Sequence, residues 1–157
     1  MLLPEVDARV FGIKLRVHRL FHSTFFGDVQ PLVHSPRNSA RYARYVKLVQ
    51  ALDAERVVAI YVHFYPLFQQ AFVELGYPNA QFNDRLVDVI DHLLETPDVQ
   101  GPVALVRPKV FFEFADPELE ELSAGQKLMV RIGPDNAAVL KTKLREIRRA
   151  LVAEAPA

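Results

Sequence analysis

Between Phe82 and Glu95 the run "FNDRLVDVIDHLLE" carries four carboxylates and a histidine. On a helix Asp84, Asp88, Asp91 and Glu95 fall within one narrow arc, because residues three and four apart stack on the same face. Carboxylates in that pattern suggest three kinds of chemistry: a hard-cation site, an acid–base pair, or a docking strip for a basic surface. Side chains leaving one helix in a row diverge, and no calcium-loop spacing is present. The sequence therefore predicts neither a metal site nor a bound cofactor. Like charges four residues apart cost about 0.2–0.5 kcal/mol per pair, so the row favours a basic neighbour. His92 points off the arc toward Arg85. Asn83 falls on the apolar flank, where a buried amide is expected to pin loop backbone.

Basic rows complement the acids. Lys141, Arg145 and Arg148 repeat at helical spacing with Arg149 adjacent, and Arg37, Arg41, Arg44 and Lys47 accompany Tyr42 and Tyr45. Basic residues among aromatics could meet nucleic acid. However, 19 basic side chains balance 19 acidic ones, so no global field draws a polyanion. A third polar group, Arg56, His63 and Gln70 with Glu74, forms a narrow strip on an otherwise apolar helix. Pro66 lies inside that helix, removes one donor and predicts a kink that frees the Val62 carbonyl. A pocket beside His63 follows from that reading. His18 and His22 are four apart, but on a strand they are out of register for one ion.

Other chemistry lacks its parts. There is no cysteine, and none of the six glycines forms GxG, so thiolate chemistry, dinucleotide fingerprints and phosphate loops are missing. Ser23, Ser35, Ser39 and Ser123 stand in no nucleophile elbow, and no HExxH occurs. We expect no catalytic residues.

These side chains need elements to position them. A chain of 157 residues is long enough for one core without staples. Residues 1–36 read as extended: Phe11, Ile13, Leu15 and Val17 alternate with Lys14, Arg16 and His18, which predicts a strand over 9–18. Gly27-Asp28 signals a turn, and "VQPLVH" returns as a second strand, confined to an edge by Pro31. Residues 37–157 read as a helical bundle. On its first helix Tyr42, Tyr45, Val46 and Val49 share one face. Asp53 caps a second helix ending at Gly76. That helix is apolar around most of its circumference, so it is expected at the centre, burying Ile60, Phe64, Leu67, Phe68, Ala71 and Leu75. Asn79 caps the acidic helix. Asp116-Pro117 and Ser123 with Gln126 open two further helices, the latter ending at Gly133. A last helix runs from about Pro134 to Val152 with Leu140, Leu144, Ile147 and Leu151 inward. Between them, 98–115 reads as extended and packed over the bundle. The expected architecture is mainly α: one domain of about five helices with a small N-terminal β-hairpin segment.

The segments "YARY", "YPLFQQAFVELGYP", "FNDRLVDVIDHLLETP", "PKVFFEFADPELEELSAGQKL" and "RIGPDNA…KLREIRRAL" resemble an uncharacterised bacterial family of the domain-of-unknown-function kind, over roughly residues 39–151. Members of that family often carry an N-terminal membrane anchor and a Pro-rich linker. The resemblance implies a domain displayed on the periplasmic side of the inner membrane, and it supplies no activity. The stretch "MLLPEVDAR" is too short and acidic for a signal peptide, and no apolar run reaches membrane-span length, so the chain by itself reads as soluble.

Two functional readings follow. The first is a non-enzymatic protein-interaction domain of the cell envelope, with Asp84, Asp88, Asp91, Arg145 and Arg148 in its charged faces and self-association open to it. The second is a small-molecule or peptide-binding domain with a pocket near His63 and Pro66 on the kinked central helix, with Arg56 and Gln70 flanking His63 as candidate binding residues.

Overall fold

The alternation between residues 9 and 18 becomes two strands in the computed structural model, which describes residues 6–10, 13–19, 32–108 and 110–154. β1 (Val6–Val10) and β2 (Ile13–Arg19) pair antiparallel, with Val10 opposite Ile13. One strand was the expectation. Phe11 and Gly12, between the two strands, lie outside the described residues. β3 (Leu32–His34) pairs with β2, placing Val17 opposite His34, as the expected return strand should. Gly27, Asp28 and Pro31 lie outside the described residues.

β3 is central, not an edge. The sheet is antiparallel throughout in the order β1-β2-β3-β4-β5, where β4 is Ala104–Val106 and β5 is Glu113–Phe114. The segment expected to lie over a helical bundle thus completes a sheet: Leu105 stands opposite Leu32 on one side and Phe114 on the other. β4 falls between Pro102 and Pro108 and β5 lies beyond both, so the ladder requires no donor from either proline.

Six helices are present among the described residues, and the molecule is mainly α: α1 (Pro36–Ala51), α2 (Ala54–Glu74), α3 (Phe82–Leu94), α4 (Pro117–Glu120), α5 (Ala124–Arg131) and α6 (Pro134–Ala153). Their ends follow the predicted punctuation. Asp53 accepts from the Arg56 N–H at 2.9 Å, Asp116 accepts from the Glu118 N–H, and Ser123 with Gln126 closes a capping box. Gly76 and Gly133 have φ of 103° and 89°. At Gly133 a Cβ would come within 2.6 Å of Ser39 Oγ, so both conformation and space require glycine. Asn79 does not cap α3. Gln81 occupies that position without a side-chain bond, and the Phe82 N–H instead donates to Gln69 of α2 at 2.7 Å.

The chain forms two compact units, residues 1–43 with 97–136 and residues 44–96 with 137–157. The first has a core of Leu105, Phe112, Phe114, Leu119 and Val130, with Leu32 and Val103 against it. The second is centred on Val58, Ile90 and Leu151, packed by Tyr61, Val62, Leu86, Leu144 and Ile147. Leu144, Ile147 and Leu151 of the predicted α6 stripe thus enter this core, while Leu140, half-buried, stands outside the cluster. The burial predicted for α2 is not found. Ile60, Phe64, Leu67, Phe68, Ala71 and Leu75 are all exposed, while Val58 and Tyr65 are its buried residues. An all-round apolar helix has two faces able to enter a core, and α2 uses the one bearing Val58, Tyr61, Val62 and Tyr65.

Candidate functional site

An ion pair joins α3 to α6. Arg148 grips Asp91 in a two-pronged contact: Nε donates to Oδ1, and Nη2 donates to Oδ2 at 2.8 Å. The hydrogen bond from Arg148 holds the Asp91 carboxyl below its ordinary range, and the same bond raises the guanidinium. Asp84, Asp88 and Arg145 remain exposed; Arg145 accepts from Arg149 Nε through its carbonyl. The basic row is not a continuous surface, because Lys141 is buried and donates to the Thr96 carbonyl just past the end of α3. A lysine there offsets the negative end of the helix. Opposite charges thus pair inside this unit at Asp91–Arg148.

Along α2, Arg56, His63 and Gln70 are exposed. His63 meets Phe64 edge-on at 4.8 Å, and Gln70 donates to Glu74 at 2.9 Å. α2 continues as one helix through Pro66. The inward side is anchored by polar bonds that the sequence did not reveal. Tyr61 donates to Asn83 and Tyr65 to Gln81, at 3.2 and 2.8 Å, and Gln69 Nε2 reaches the Ala80 carbonyl. Asn83 is buried as expected, but its partner is a phenol, not loop backbone. Burial, and then the neighbouring Tyr65, pushes the Tyr61 hydroxyl up to about 12. With that side fixed, the other side of α2 presents Ile60, Phe64, Leu67 and Leu75 at exposures from 46% to 76%. At 100° per residue these four and Ala71 share one stripe, bordered by Arg56, His63, Gln70 and Glu74.

The other unit holds a cleft of about 660 Å³. Val33, Val103, Val130 and Ile132 form apolar walls, with His34 and Asn136 among the polar groups. Asn38 Nδ2 lies 2.5 Å from His34 Nε2, a contact suited to a neutral ring accepting at Nε2. Burial, and next the charge of Arg131, lowers the His34 pKa to about 4. Arg131 itself is buried over the Phe114 ring at 5.1 Å, and desolvation lowers its pKa against the opposing pull of Glu120 and Tyr42. Burial works to raise the Glu120 carboxyl, but its bonds from Lys127 and the Phe114 N–H bring it below the ordinary range. Asn38 Oδ1 and Tyr42 Oη are buried and find no hydrogen-bond partner among the described residues. No sequence signal marks this cleft, because its lining converges from β3, α1, the 99–103 segment and the α5–α6 junction. Neither His63 nor Pro66 lines it, nor do they line a second cavity between residues 51–55 and α6.

Among the described residues, no three His, Asp or Glu side chains converge to hold a metal ion. None of the described helices is long and apolar enough to cross a membrane. A family model described as "Protein of unknown function (DUF3014)" matches residues 20–148. The chain belongs to the DUF3014 family. No curated protein and no solved structure matches it. The DUF3014 match spans both the His34 cleft and the exposed face of α2, and it brings no activity with it.

Proposed function

We propose that this DUF3014 domain is a non-enzymatic protein-interaction domain of the bacterial cell envelope, with the outer face of α2 as its docking surface. The observation carrying this reading is the exposed stripe Ile60, Phe64, Leu67 and Leu75 on a helix whose opposite side is fixed by core packing and hydrogen bonds. With Phe68 the stripe comprises roughly 500 Å² of apolar surface, within the size range that marks interaction sites. Scattered apolar residues need no explanation, whereas a contiguous stripe does. A protein suits this face better than a lipid surface: its borders offer one arginine and a histidine, not the cationic rows that hold a helix on anionic membrane. The envelope location is supported by the family resemblance, whose members often carry an anchor. The sequence supports the non-enzymatic reading through its missing cysteine, phosphate loop and nucleophile elbow.

The test is a photo-crosslinking side chain placed at Leu67 or Ile60 in cells, with Asp84 as control. Discrete crosslinked products from the α2 positions alone are expected. Equal labelling at Asp84, or none at α2, would overturn the reading.

The cleft beside His34 favours a second reading, a small-molecule or peptide-binding domain, because its walls are largely apolar and its volume suits a small ligand.

A further inference from the structure

The order of residues along the exposed stripe is symmetric. Ile60, Phe64, Leu67 and Ala71 are separated by four, three and four positions, a spacing that reads the same in both directions about a point between residues 65 and 66. A helix with that pattern complements a second copy of itself laid antiparallel. Ile60 then faces Ala71 of the other copy, and Phe64 faces Leu67, on both sides of a two-fold axis. The alternation of four and three is that of knobs entering holes in a helix pair, with the small Ala71 receiving Ile60 of the other copy.

The borders agree. Arg56 and Glu74 are nine residues either side of Tyr65, and both lie on the same flank of α2. The two-fold operation keeps that flank on the same side and reverses the helix, so each Arg56 meets the other copy's Glu74. A parallel two-fold pair would place the two Arg56–Glu74 flanks on opposite sides of the interface, so these reciprocal contacts form only in the antiparallel arrangement. Arg56 and Glu74 are both exposed, and Glu74 accepts from Gln70 on its own helix.

We infer that α2 pairs with α2 of a second copy through Ile60, Phe64, Leu67 and Ala71, oriented by reciprocal Arg56–Glu74 contacts. This rests on the interaction-domain reading and names its partner. Two stripes bury about 1,000 Å² of apolar surface between them, at the lower bound for a specific interface. The pair should therefore be reversible, with a dissociation constant on the order of 10 μM.

Sedimentation velocity over a range of concentrations tests it on the full chain. The wild type should shift from monomer to dimer, and Leu67→Lys should stay monomeric at every concentration. Arg56→Glu and Glu74→Arg should each weaken the dimer by about tenfold, and the double reversal should restore it. Each reversal puts an acid near the N-terminus or a base near the C-terminus of α2, which the helix dipole favours, so folding is preserved. A wild-type monomer at all concentrations overturns self-pairing, and so does a dimer indifferent to these changes. Crosslinks from Leu67 to other proteins would then leave the interaction reading standing; their absence removes both. Sedimentation of the wild type, but not Leu67→Lys, with phosphatidylglycerol vesicles would overturn the proposal by giving the face to lipid.

Discussion

Protonating His34 means charging a largely desolvated ring close to the Arg131 guanidinium and abolishing the acceptor that faces Asn38. The unfolded chain takes that proton near pH 6.5, whereas the folded chain resists it until about 4. Between those values the unfolded state binds more protons. The stabilisation is complete above 6.5 and is lost as pH falls toward 4, by up to about 3 kcal/mol. Denaturant midpoints at pH 7 and pH 4.5 should therefore move further apart in the wild type than in His34→Gln, while proton NMR shows the His34 ring neutral at pH 5. Equal pH slopes in the two chains would count against the linkage. The acidic row on α3 leads to a different prediction. Asp91 is committed to Arg148, and Asp84, Asp88 and Glu95 diverge from it, so calorimetric titration with magnesium or calcium should show nothing tighter than about millimolar. A micromolar site would show that these carboxylates converge after all. The sequence revealed the row and the complementary arginine, because both follow from helical spacing. It could not reveal His34 or Arg131 as a neighbourhood, because residues 34 and 131 meet only through folding.

Among the helices, local chemistry was the legible part. Asp53, Asp116, Ser123, Gly76 and Gly133 act on groups within a few positions of themselves, and each does what its residue type predicts. Long-range satisfaction was not legible: α3 opens at Gln81 instead of Asn79 because Gln69, thirteen residues back, supplies the acceptor for Phe82. α2 shows the same limit for packing. Hydrophobicity around the whole helix says that either side can be buried, but the choice depends on what α3 and α6 offer. They offer Ile90 and Leu151, which meet Val58. The contrast gives a pair of measurements. Leu151→Ala, at a side chain only 2% exposed, should destabilise by about 2–5 kcal/mol. Phe64→Ala, on the open side, should change monomer stability by no more than about 1 kcal/mol. Urea unfolding at concentrations well below any dimerisation isolates these values. A large loss for Phe64 would put the outer face of α2 in the core and remove it as a docking surface.

At the scale of the whole chain, acids and bases cancel, so recognition falls to local surfaces and not to a net field. Connectivity matters more. Each compact unit is assembled from two separate stretches, and both α1 and α6 contribute residues to both units. Removing the chain after Asn136 therefore affects the units unequally. The sheet-containing unit keeps Leu105, Phe112, Phe114, Leu119 and Val130, together with the Asn136 side chain that bonds the Ser39 and Ile132 carbonyls. The helical unit loses Leu144, Ile147 and Leu151, the Lys141 contact at the end of α3, and Arg148. What remains of it is α2, α3 and the second half of α1, with Val58 and Ile90 left against an open side. Two or three helices with half a core fall short of the burial needed to offset chain entropy. Hydrogen exchange on a chain ending at Asn136 should thus show slow amides retained in β3, β4 and β5, while those of α2 and α3 exchange at rates near the unfolded limit. Persistent protection in α2 would mean that its inner face is held by the Tyr61–Asn83 and Tyr65–Gln81 bonds without α6, and that the polar network, not the Leu151 cluster, positions the docking face.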